Sequence, residues 1–189
     1  MTKKMSFAAI AAIVCLICFQ TGCDNDSSAQ QTQSEFNMDF SGSFITQTIN
    51  SDTNGDGRPA TLGTLEGMSN LGEATIQDLL EFFLDEPTGC PENNINFRLV
   101  LGRLVIRFKD TKDLLLGEWT SGNSCFDPET NIAVLTLNGE FTGGTGQFEG
   151  VSGQMQMIAT PLLLTTTAVE GYAFGGITGT LSGTIVFGE

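Results

Sequence analysis

From Glu35 onward, apolar and polar residues of this chain alternate with a period of two. Phe36, Met38, Phe40, Gly42 and Phe44 fall on one face, and Glu35, Asn37, Asp39, Ser41 and Ser43 on the other. That pattern predicts a half-buried strand. A loop, SDTNGDGRP, follows from Ser51 to Pro59, and Thr61 to Met68 resumes a strand. Glu73 to Leu84 fits two templates. Ile76, Leu79, Leu80 and Phe83 have helical spacing, whereas Ala74, Ile76, Leu80, Phe82 and Leu84 alternate. No strong N-cap precedes the segment and its neighbours are strand-like, so strand is the expectation. Beyond Pro87 and Cys90, Ile95, Phe97, Leu99 and Leu101 alternate. Gly102-Arg103 reads as an interruption before Leu104, Ile106 and Phe108. Asp110 to Asp113 reads as a charged turn, Leu114 to Trp119 as a strand, and Ser121-Gly122-Asn123 as a further turn towards Cys125. Asn131 to Leu137 is the next strand.

Gly139 to Gly153, GEFTGGTGQFEGVSG, concentrates glycine around Phe141 and Phe148. Glycine reaches backbone angles that a side chain forbids, so the stretch predicts a corner between antiparallel strands. Gly143, Gly144, Gly146 and Gly150 are its turn residues, with Phe148 turned inward as a plug. Val151, Gly153, Met155, Met157 and Ala159 leave the corner along one face. Ile177, Gly179, Leu181, Gly183, Ile185 and Phe187 then alternate with Thr178, Thr180, Ser182, Thr184 and Val186. A small, glycine-spaced inner face suits a curved strand that closes a sheet. The expected fold is all-β: a single antiparallel β-barrel of about eight strands, calycin-like.

The pattern ahead of Glu35 is of another kind. Lys3 and Lys4 precede an unbroken apolar run from Phe7 to Phe19, too short to span a bilayer comfortably. Gln20-Thr21-Gly22-Cys23 follows, and the chain then turns polar. Thr21, Gly22 and Cys23 resemble the end of a bacterial lipoprotein signal, with Gln20 where the pattern usually carries an aliphatic residue. The resemblance implies that Cys23 is acylated, with palmitate-type chains, and becomes the mature N-terminus. The alternative is an ordinary secretory signal cut near Gly22. Both predict an extracytoplasmic product. The expected organisation is a signal peptide over residues 1–22, a lipidated N-terminus and flexible tether over 23–34, and a barrel over 35–189.

Of the five cysteines, Cys15 and Cys18 leave with the signal and Cys23 takes lipid. Cys90 and Cys125 remain, to pair as a disulfide in an oxidising compartment or to stay as two free buried thiols. Charge narrows the partners further: 22 Asp and Glu oppose 8 Lys and Arg, for a net charge of -14. Such a balance excludes nucleic acid and docking on anionic lipid through basic patches. Contact with a membrane would rest on the acyl chains of the anchor.

GGTGQFEGVSG, followed by a strand and then GITGTLSGTI, looks like the closing half of the allene oxide cyclase and dirigent type of small β-barrel, and Leu71-Gly72 before a strand also resembles that group. Secreted bacterial domains of unassigned role share the pattern. The resemblance is closer over Gly139 to Phe187 than over the rest of the domain. It implies an eight-stranded antiparallel barrel with an apolar interior, and leaves the chemistry open.

Candidate chemistry is sparse. The chain has no histidine, which removes Ser-His-Asp and Cys-His nucleophilic schemes and histidine-ligated metals. Asp52, Asn54 and Asp56, followed by Gly57, have the spacing of the first half of a calcium loop. Gly63 stands where the bidentate glutamate belongs, so the site is either a weak calcium site or a polar hairpin loop. Gly144-Thr145-Gly146 lacks the helix and lysine of a phosphate loop. Arg98, Arg103 and Arg107 are expected to face solvent, with Glu81 and Glu118 as possible partners. Met155, Met157 and Met68 fit either a core or an adaptable apolar pocket. Trp119 and Tyr172 are the candidates for a rim. The leading expectation is a non-enzymatic binding or structural domain that needs no cofactor, with a small apolar ligand as one version. The alternative is a cofactor-free cyclase or isomerase that acts through shape, inward carboxylates or Tyr172.

Overall fold

A strand with one apolar face and two unpaired edges is stable only when both problems are solved together. Closure of the sheet into a ring does so. The computed structural model of the protein describes residues 32–47, 60–85, 89–166 and 172–188. They form β1 (Gln33–Gln47), β2 (Ala60–Ser69), β3 (Gly72–Asp85), β4 (Ile95–Phe108), β5 (Leu114–Asp127), β6 (Ile132–Gly144), β7 (Ser152–Thr166) and β8 (Tyr172–Val186). Each pairs with its successor in sequence, and antiparallel pairing of β8 with β1, from Gln33↔Val186 to Gln47↔Tyr172, closes an eight-stranded barrel. β1 takes in Gln33 and Ser34 as well, because β8 extends far enough to pair with both.

Glu73 to Leu84 is strand throughout. Its helical spacing loses because β2 and β4 flank it and offer ladder partners on both edges. The turn into it is held by Asn70, whose side-chain oxygen accepts from Asn37 N at 2.9 Å and whose amide donates to Glu35 O at 2.8 Å. Two expected breaks are absent. Gly102-Arg103 lies within β4, and Ser121-Gly122-Asn123 within β5. The ladder slips close to each of them. Between Glu81 and Phe82 the pairing moves from Leu101 to Leu99, so β4 carries an extra residue, and β5 shifts against β6 between Trp119 and Ser121. Such bulges bend a strand without ending it.

The interior packs from one end. At the β6–β7 corner Gly146–Phe148 forms a single 3-10 turn, while Gly139, Gly143 and Gly144 belong to β6 and Gly153 to β7. Thr145 clamps the corner to β5: its N–H donates to Leu114 O at 2.8 Å, and its hydroxyl accepts from Leu114 N at 2.9 Å. Gly146 and Gly150 take left-handed backbone, with φ of 59° and 72°. Phe148 is buried and stacks on Phe108 with ring centroids 4.8 Å apart, and Phe36 meets Phe141 edge-on at 5.7 Å. These rings fill the end of the barrel that carries the β2–β3, β4–β5 and β6–β7 turns.

Trp119 occupies the middle and is only 4% exposed, so it is a core residue and not a rim marker. A Cβ at Gly102 would lie 2.5 Å from Trp119 Cβ, and one at Gly139 2.9 Å from Trp119 Cε3. The glycine read as a break is therefore the space that admits the indole. Met155 and Met157 are buried beside it, whereas Met68, on the opposite parity from Leu65, faces out and is 61% exposed. Leu84, beyond the last inward position near the end of β3, is 60% exposed.

Cys90 and Cys125 form a disulfide, with S–S 2.01 Å and a sequence separation of 35. Closing a loop of that length stabilises the fold by roughly 3–4 kcal/mol in the chain-entropy view. Cys125 points away from the interior that its neighbours Ser124 and Phe126 line, so the bridge fastens the β3–β4 connection to the outside of β5. Gly102→Val should drive the indole out of place and cost roughly 1–3 kcal/mol. Urea unfolding followed by tryptophan fluorescence checks this, and an unchanged midpoint would show that the contact with Trp119 does not constrain the core.

Candidate functional site

The other end of the barrel, where β1, β3, β5 and β7 finish, is not filled by the described residues. It holds a cavity of about 280 Å³. Phe44, Leu80, Phe82, Phe97, Phe126 and Leu135 supply most of its apolar wall. The space exists because Gly63, Ala133, Ala173 and Pro161 take positions that large side chains occupy at the plugged end. Polar groups on the wall are few. The hydroxyls of Thr46 and Thr61 share one hydrogen bond at 2.9 Å, and Ser124 and Asn131 also line the wall.

Asp78 is the exception. It follows Ala74 and Ile76 on the inward face of β3 and stands directly opposite Gly63 of β2. It lines the cavity and is 6% exposed. A Cβ on Gly63 would lie 1.9 Å from Asp78 Oδ1, so the carboxyl lies over bare backbone that only glycine leaves free. Oδ1 has no hydrogen-bond partner. Burial pushes the Asp78 carboxyl up from the ordinary 3.8 to about 6, while backbone hydrogen bonds from Gly63 and from Asp78 itself act in the opposite direction. Among the described residues that line the cavity, Asp78 is the sole ionisable side chain.

The residues singled out in the sequence fall largely elsewhere. Arg98 is exposed and pairs with Asp85 at 2.7 Å, its guanidinium 6.0 Å from the centre of the Phe83 ring. Arg103 pairs with Glu118 on the outer face. Glu81, at the β3 bulge, is fully buried. Among the described residues no group of three or more acidic, cysteine or histidine side chains gathers to hold a metal ion. Asp52, Asn54 and Asp56 lie outside the described residues, as do Cys23 and the side chain of Tyr172. Asp78 itself was missed. Its signal was present, because it occupies the even-numbered inward series of Ala74 to Phe82, but an acid breaks an apolar face and reads as noise.

The carboxyl has its ordinary affinity for a proton when unfolded and a higher one when folded. Folding therefore takes up a proton between pH 3.8 and about 6. Stability from this group is whole at low pH and declines as pH rises through 6, a cost on the order of 3 kcal/mol at neutrality. Asp78→Asn should remove that decline. The stability difference between variant and wild type, from urea titrations, should move in the variant's favour by up to this amount between pH 4 and pH 7.5. A pH-independent difference would mean that the carboxyl is not held protonated by burial.

Compared with protein-family models and with curated proteins, the chain matches none.

Proposed function

We propose that this protein is a lipid-anchored, extracytoplasmic binding domain whose barrel holds a small apolar ligand. The observation that carries this is the cavity of about 280 Å³ that the described residues leave inside the barrel. Protein interiors ordinarily leave few voids larger than a water molecule, and a recess of this size sits just below the roughly 300–1,000 Å³ range of small-molecule sites. A purely structural barrel has no need of it, since phenylalanines of the kind that plug one end would fill the other. The Cys90–Cys125 disulfide supports an oxidising compartment. The lipoprotein-like Thr21-Gly22-Cys23 supports attachment through acyl chains, which binds a protein to a membrane surface without a span.

A second reading, a cofactor-free cyclase or isomerase of the allene oxide cyclase type, has one observation in its favour. The Asp78 carboxyl lines the cavity and has an affinity suited to exchanging a proton near neutrality. Binding requires the cavity alone, whereas turnover also requires that Asp78 reach a reacting atom. The binding reading is therefore the simpler of the two.

N-phenyl-1-naphthylamine, which fluoresces in apolar surroundings, should brighten with the wild-type protein. Ala133→Phe, which fills the cavity, should weaken that binding by about tenfold or more. Equal brightening by a variant with unchanged circular dichroism would place the dye on the outer surface and remove the ligand reading. For the anchor, mass spectrometry of the mature protein from a bacterial host should find acyl chains on Cys23. Cys23→Ser should move the protein from the membrane to the soluble fraction, and a membrane fraction unaffected by the change would exclude lipidation at this residue.

A further inference from the structure

We propose that the cavity selects a protonated amine carried on an apolar body, with the ammonium group seated on the Asp78 carboxylate. This rests on the ligand-binding reading above and names the class of ligand. Three observations converge on it. The wall is mostly apolar; beside Asp78 its polar side chains are Ser124, Asn131, and Thr46 and Thr61, whose hydroxyls hydrogen-bond each other. The carboxyl among the described residues of that wall, Asp78, is 6% exposed, and its Oδ1, packed over Gly63, has no hydrogen-bond partner. The chain carries a net charge of -14, so its field gathers cations and repels anions at any opening of the barrel.

A buried acceptor left unpaired costs free energy, and a carboxylate costs more than a neutral group. A ligand that brings a donor removes that cost, and one that brings a cation also compensates the charge in a medium where water does not screen it. Gly63 makes the arrangement possible, since any side chain there would overlap Oδ1. An alcohol donates one hydrogen bond without compensating the charge. A fatty acid sets a second carboxyl against the first. The geometry thus orders three head groups on one chain: amine above alcohol, and alcohol above carboxylate.

The test uses octylamine, octanol and octanoate as competitors that displace N-phenyl-1-naphthylamine from the full mature domain at pH 7.5. Octylamine should compete at least about tenfold more strongly than octanol, the scale expected for a charge-assisted over a neutral hydrogen bond, and octanoate most weakly. In Asp78→Asn the ratio of amine to alcohol should collapse to about one. Because the comparison is made within each variant, a general change in affinity does not mimic it. If Asp78→Asn does not fold, the wild-type ranking alone decides. Equal competition by amine and alcohol, or a preference that survives Asp78→Asn, overturns the assignment while the binding cavity stands. Failure of the dye to bind at all overturns both.

Discussion

Antiparallel pairing of β1 with β8 is the constraint on which the molecule depends. Until those strands meet, the sheet has two open edges and an apolar face that nothing covers. Once they meet, every inward side chain competes for one enclosed volume whose width is set by the number of strands. The contents of that volume then follow from residue size. Phe36, Phe108, Phe141 and Phe148 fill one end, and at the other Gly63, Ala133 and Ala173 leave a cavity among the described residues. A packed plug and an open cavity are two outcomes of the same alternation.

The glycines of the barrel wall act chiefly as allocations of space. Gly102 and Gly139 make room for Trp119 in the middle of the core, and Gly63 makes room for the Asp78 carboxyl at the cavity. In both cases a small residue on one strand receives a large or polar one from its neighbour. Their density at the β6–β7 corner serves a different need, the left-handed backbone of Gly146 and Gly150.

Asp78 works against the fold that holds it. A carboxyl on an apolar wall, with one oxygen unpartnered, lowers stability at neutral pH relative to an apolar residue of similar size. Trp119 Nε1 is the other buried side-chain polar atom without a partner among the described residues, but it carries no charge. A charge-bearing violation of this kind is what the proposed binding site would require, since its polar group would be matched to a partner outside the chain.

The alternation of Phe36 to Phe44 and of Ile177 to Phe187 determined strands, their faces and an all-β barrel, because a period of two has no other stable use beside so many turns. The cysteine count indicated the Cys90–Cys125 pair, and the glycine-rich corner the inward Phe148. Sequence alone did not decide the continuity of β4 and β5, since Gly102 reads as a stop until Trp119 is seen resting against it. Nor did it reveal Asp78, whose meaning comes from facing Gly63 across the ladder within a wall of apolar side chains. Periodicity is a property of neighbours along the chain and survives in the linear record. Which small residue faces which large one depends on register between strands, and register exists only once the ring has closed.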